Sequence, residues 1–109
     1  MQIITIQDKY FEALKLFGET NEIVETALRQ FIVEQAAERI KMLRDKVKVW
    51  EEIYGESFNS FQHKIETDEA FARKLDETHP LWEGDFVNWK FYAEELQEWL
   101  ERIQNILIT

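Results

Sequence analysis

At 109 residues the chain has room for one domain, or for one small domain with an appendage. Three Gly, one Pro and 45% hydrophobic residues disfavour an all-β fold built on tight turns and favour long helices. With no Cys there is no disulfide scaffold and no zinc–thiolate site, and no apolar run approaches the roughly 20 residues of a membrane span.

The N-terminus lacks the basic start, apolar stretch and small-residue cleavage site of a signal peptide, so a cytoplasmic location is expected. The net charge of −9 is unevenly placed. Residues 1–50 carry 8 Lys+Arg and 8 Asp+Glu, whereas residues 51–109 carry 5 and 14. The entire acidic excess therefore falls in the second half, which suits either solubility or a basic partner.

Residues 3–7, Ile-Ile-Thr-Ile-Gln, alternate and are rich in β-branched side chains, which predicts a strand with Ile4 and Ile6 on one face. A lone strand needs a mate for its backbone groups, and a second copy of the same strand is the expected one. Asp8 reads as the N-cap of a short helix through Phe17 bearing Phe11 and Leu14, closed by Gly18. Thr20 reads as the N-cap of a second helix running to Gly55, roughly 50 Å long. Ile23, Ala27, Leu28 and Phe31 form its first apolar stripe. Ala36, Ile40, Leu43, Val47, Trp50 and Tyr54 then step by 4 and 3 as a heptad seam. Ser57 and Thr67 are the expected caps of two short helices, and residues 77–84 the expected linker. Asp85 is the expected cap of a last helix whose seam runs Phe86, Trp89, Ala93, Leu96, Leu100, Ile103, Leu107.

The N-terminal pattern resembles the ribbon-helix-helix family, through residues 3–7, Phe11–Gly18 and Thr20–Phe31. Residues 23–31 are similar to the second helix of antitoxins from bacterial toxin–antitoxin pairs. The resemblance implies a mostly α fold with an N-terminal ribbon-helix-helix (one strand and two helices, the second long) followed by a C-terminal helical arm or subdomain. It implies a dimerisation and DNA-binding region at 1–50 and an acidic, aromatic-rich partner-binding region at 51–109. Ile4, Ile6, Phe11, Leu14, Ile23 and Ala27 match the dimer contacts. Ile3, Thr5 and Gln7 match the positions facing base edges, and Thr20 and Asn21 match a helix start that receives a DNA phosphate. The expected partners are a second copy, a small basic toxin such as a ribonuclease, and operator DNA. Because the strand carries no Arg or Lys, DNA affinity should be weak and salt-sensitive. The alternative is a helical adaptor that uses the strand for dimerisation alone.

Other candidate sites give less. Arg39, Lys41, Arg44, Lys46 and Lys48 alternate with Glu38 and Asp45 and read as a solvated helix face. His63 and Glu66 are two ligands without a third, and His79 beside Pro80 reads as a loop residue, so no metal is expected. No nucleophile–His arrangement and no phosphate-cradling Gly loop is present, so neither an enzyme nor a cofactor is expected. Aromatic residues crowd the second half. Trp82, Phe86, Trp89 and Trp99 are the expected partner anchors, with Trp82 first because it falls in the linker.

Overall fold

The structure, a computed structural model, describes residues 5–108. Five helices follow in chain order: α1 (Asp8–Leu14), α2 (Thr20–Tyr54), α3 (Phe58–Thr67), α4 (Glu69–Thr78) and α5 (Trp82–Ile108). Among the described residues there is no strand, so the mostly α class stands and the ribbon-helix-helix architecture does not. Ile3 and Ile4 lie outside the described residues. Thr5, Ile6 and Gln7 form no strand, and the Gln7 carbonyl instead accepts the N–H groups of Tyr10 (3.0 Å) and Phe11 (3.1 Å). Gln7 is therefore the N-cap of α1, one residue before the expected Asp8, and its carbonyl is taken up by helix initiation. No unpaired strand among the described residues then calls for a second copy.

Other boundaries shift for local reasons. The Glu19 carboxylate caps α2 by accepting from Asn21 N–H (3.0 Å) and Glu22 N–H (2.9 Å), which displaces Thr20 into the helix. Ser57 caps α3 as expected, accepting from Ser60 N–H at 3.2 Å. Asp68 rather than Thr67 caps α4, because the Thr67 hydroxyl donates to the His63 carbonyl at 2.7 Å and completes α3. Helix α5 begins at Trp82, so the expected linker shrinks to His79-Pro80-Leu81, and Asp85 sits in the first turn of α5. No helix among the described residues is long and apolar enough to cross a membrane.

The chain divides into two compact units, residues 1–35 and 36–109, so residues 36–50 belong with the C-terminal part rather than the N-terminal one. The reason is the heptad seam. In the second unit Ala36, Leu43 and Val47 are buried and Ile40, Trp50 and Tyr54 half-buried. Helix α5 runs antiparallel to this part of α2: Tyr54 meets Asp85 and Trp89, Trp50 meets Tyr92 and Arg39 meets Trp99. Helices α3 and α4 contribute Phe58, Phe61 and Leu75 to the same core, with Trp89 at its centre.

Two glycines make the turns. Gly18 (φ 140°) precedes α2, and Gly55 (φ 72°) ends it in the left-handed region that L residues avoid. A Cβ at Gly55 would meet nothing within 4 Å, so Gly55→Ala tests the backbone alone. It should cost about 1–2 kcal/mol, read as a fall of several degrees in the melting temperature of the C-terminal unit. An unchanged melting temperature would show that the turn relaxes to a negative φ.

Candidate functional site

The N-terminal unit, α1 and the start of α2, leaves most of its large apolar side chains exposed. Within residues 5–35 no side chain is buried. Leu16 is 83% exposed, Phe17 81% and Phe31 61%, and Tyr10, Leu28 and Ile32 are between 44% and 55% exposed. Val24, Ala27, Leu28, Phe31 and Ile32 recur at the spacing of one helical face, and no charged residue occupies those positions. Beside this stripe the small side chains of Thr26 and Ala27, with Glu22, Ile23 and Gln30, line a shallow recess of about 390 Å³. Of the expected dimer residues, Ile6, Leu14 and Ile23 are half-buried and Phe11 and Ala27 exposed, while Ile4 lies outside the described residues. Lys15 lies over the Phe11 ring (4.4 Å to its centroid) and reaches Glu12 at 3.4 Å.

The positions expected to touch DNA are not brought together as a reading surface. Ile3 lies outside the described residues, and Thr5 and Gln7 are exposed but no longer on a strand. The helix start at Thr20 and Asn21, expected to receive a phosphate, already holds an anion. The Glu19 carboxylate accepts the Asn21 and Glu22 N–H groups there, and its negative charge repels a phosphate from the same end of the helix.

The expected partner anchors turn inward. Trp89 is fully buried and belongs to the core, which corrects its assignment as an anchor. Phe86 is half-buried between Phe58, Phe61 and Trp82. Trp82 is half-buried, with its edge on Phe61 and its indole N–H donating to Asp76 at 2.8 Å. Trp99 is half-buried with Arg39 and Arg102 over its ring at 5.7 and 5.3 Å. The expected anchors are thus held by contacts within the C-terminal unit. The most exposed apolar side chains there include Leu81, Val87 and Phe91, none of them among the anchors the sequence points to.

One polar contact in the C-terminal unit has no counterpart in the sequence reading. The Tyr54 hydroxyl donates to Asp85 Oδ2 at 2.7 Å, and the Tyr54 and His79 ring centroids lie 5.0 Å apart. Burial pushes the Tyr54 phenol well above the usual tyrosine range, and the hydrogen bond to Asp85 and its negative charge add to the shift. Only the antiparallel register of α2 and α5 brings the pair together. In the unfolded chain the phenol ionises near pH 10. The native phenol holds its proton beyond that, so the stability is whole below about pH 10 and declines as pH rises further. Tyr54→Phe should therefore flatten the alkaline loss of stability, measured as the urea midpoint at neutral pH and above pH ~10. An identical alkaline slope in the variant would contradict the raised value.

Among the described residues no group of three or more His, Cys, Asp or Glu side chains could hold a metal ion. Comparison with protein-family models, with curated proteins and with solved structures gives no match.

Proposed function

We propose that this chain is a helical protein-interaction adaptor rather than an enzyme: a packed C-terminal unit preceded by an N-terminal unit whose exposed apolar stripe on α2 is the docking element. The observation that carries the reading is that residues 5–35 bury no side chain while Leu16, Phe17 and Phe31 stand mostly in solvent. Isolated helices of this length are marginal in water, and packing of an amphipathic face supplies most helical stability in proteins. An uncharged apolar stripe flanked by polar residues is the composition of an interface core. The absence of Cys fits a reducing compartment such as the cytoplasm.

A photo-crosslinking amino acid placed at Phe31 in the full chain tests this in the producing cell. It should give a discrete protein adduct, whereas the same group at Glu101, exposed on the C-terminal unit, should not. No adduct above the Glu101 control would overturn the reading.

A narrower reading, an antitoxin-like protein that neutralises a small basic toxin, is supported by the net −9 of residues 51–109. Its test is co-expression with the product of the adjacent gene: growth rescued from a basic, toxic product supports it, and no effect removes it. Operator binding forms no part of the proposal, since no strand that could read bases forms among the described residues.

A further inference from the structure

Helix α4 presents Phe71, Lys74, Leu75 and Thr78 at the spacing of one helical face, and His79 follows as its C-cap. This face meets Ile53 and Tyr54 at the end of α2 and leaves a cavity of about 200 Å³ between them. Leu75 is buried and Tyr54, Phe71 and His79 are half-buried, so the walls are apolar and aromatic. Lys74, Thr78 and His79 supply the polar lining. We infer that this cavity binds a small organic acid, a single carboxylate on an apolar body the size of one ring. It belongs to the C-terminal unit, whereas the docking stripe belongs to the N-terminal one.

Size and charge together select that ligand. An apolar cavity of about 150 Å³ takes up benzene, whereas drug-sized ligands occupy about 300–1,000 Å³. A volume of about 200 Å³ therefore suits one ring with a small substituent. The sign of the substituent comes from the lining. Residues 51–109 hold 14 Asp+Glu, and other recesses of this unit are lined by Glu51 and Glu94 or by Glu83 and Asp85. No carboxylate lines this cavity. Its ammonium group, Lys74, makes no ion pair among the described residues. An anion entering here meets a cation that the fold leaves unpaired.

The end of α4 does not oppose an anion as a bare helix C-terminus would. The Lys74 carbonyl accepts the Thr78 hydroxyl proton at 3.0 Å, and the Leu75 carbonyl accepts the His79 N–H at 2.7 Å. Having given its only proton to Lys74, the Thr78 oxygen accepts from His79 Nδ1–H, also at 3.0 Å. That fixes the tautomer: Nε2 is an acceptor while the ring is neutral and a donor once it is protonated. The charged and titratable groups around the ring come from every neighbouring helix. Tyr54 of α2 lies against it, with its hydroxyl engaging Asp85 of α5. Lys74 shares α4 with it, and Lys64 of α3 lies over the Phe71 ring while paired with Glu56. Carboxylate binding is therefore linked to protonation of His79 and tightens as the ring takes up a proton.

Titrating the full chain with benzoate, followed by two-dimensional amide NMR, tests the site. Saturable shifts should centre on residues 53–54 and 71–79. At about pH 5.5, where His79 gains charge, benzoate should bind about tenfold more tightly than benzyl alcohol, which keeps the ring and lacks the charge. Acetate, which keeps the charge and lacks the ring, should bind about tenfold more weakly than benzoate. Lys74→Met should weaken benzoate about fivefold, the upper scale of an exposed ion pair, and leave benzyl alcohol unchanged as a sign of an intact cavity. Lys74→Gln should give the same result. From about pH 8 down to about pH 5.5 the wild-type affinity for benzoate should rise severalfold, while His79→Gln stays flat. No saturable binding of benzoate, shifts centred elsewhere in the chain, equal affinity for benzyl alcohol, or Lys74 variants that bind benzoate like wild type would each overturn the site. A wild-type affinity that does not change with pH would overturn the part assigned to His79.

Discussion

Replacing Phe61 with alanine should remove a large share of the stability of residues 36–109. Phe61 is fully buried, and its ring meets rings from α2, α4 and α5: Tyr54 at 4.9 Å, Phe71 at 5.7 Å, Trp89 at 5.1 Å, and Trp82 and Phe86 slightly further out. Phe→Ala in a core costs about 3–5 kcal/mol, from lost transfer energy and the cavity left behind. A unit of this size has roughly 4–11 kcal/mol of stability in total, at about 0.05–0.15 kcal/mol per residue. The substitution therefore removes a large share of it. Near-ultraviolet circular dichroism should lose the aromatic signal at ambient temperature, or the urea transition should become broad and early. Phe71→Ala at the half-buried edge of the same cluster should cost less. A Phe61→Ala protein within about 1 kcal/mol of wild type would mean that the cluster can collapse onto the gap.

What the sequence shows about this molecule follows from periodicity. The 4,3 stepping from Ala36 to Tyr54 and the 3,4 stepping from Phe86 to Ile103 name the faces that meet, and those faces are buried or half-buried in the structure. Gly55 and Ser57 are legible for the same reason, since each supplies a local need, a left-handed turn and an N-cap oxygen. Periodicity misleads at residues 5–7, the described part of the alternating segment. Alternation over five residues indicates a strand only if something can pair with it, and the Gln7 carbonyl is drawn into α1 instead.

The caps fail for a different reason. Thr20 and Thr67 are good N-cap residues beside better placed carboxylates, Glu19 and Asp68, and composition cannot rank neighbours one position apart. Of the aromatic anchors, Trp89 is fully buried, and a count of rings does not say which of them α3 and α4 enclose. Trp89 lies on a seam and Trp82 in an apparent linker, yet both pack on Phe61. Conversely, Phe31 belongs to a stripe that reads like any core-facing stripe. Only the absence of a buried side chain in residues 5–35 marks it as unmatched within its own unit.

Trp89→Ala should cost about as much as Phe61→Ala, about 3–5 kcal/mol, while Trp89→Phe should cost far less. The indole is fully buried, 5.7 Å from the Tyr54 ring and nearly parallel to it, with Phe58 at 5.4 Å and Phe61 at 5.1 Å. Its Nε1–H, however, meets no hydrogen-bond acceptor among the described residues. A buried donor without a partner costs roughly 1–3 kcal/mol. Phenylalanine removes that donor, keeps an aromatic ring among three others, and gives up part of the indole volume. The two terms oppose each other, so Trp89→Phe should lie within about 1–2 kcal/mol of wild type. Alanine removes the donor as well but also vacates the centre of the core, so there the cavity term dominates. Urea denaturation of both variants separates the contributions. If Trp89→Phe is as damaging as Trp89→Ala, filling the space between Tyr54, Phe58 and Phe61 outweighs the unpaired N–H, and volume alone explains why an indole stands at the centre of this core.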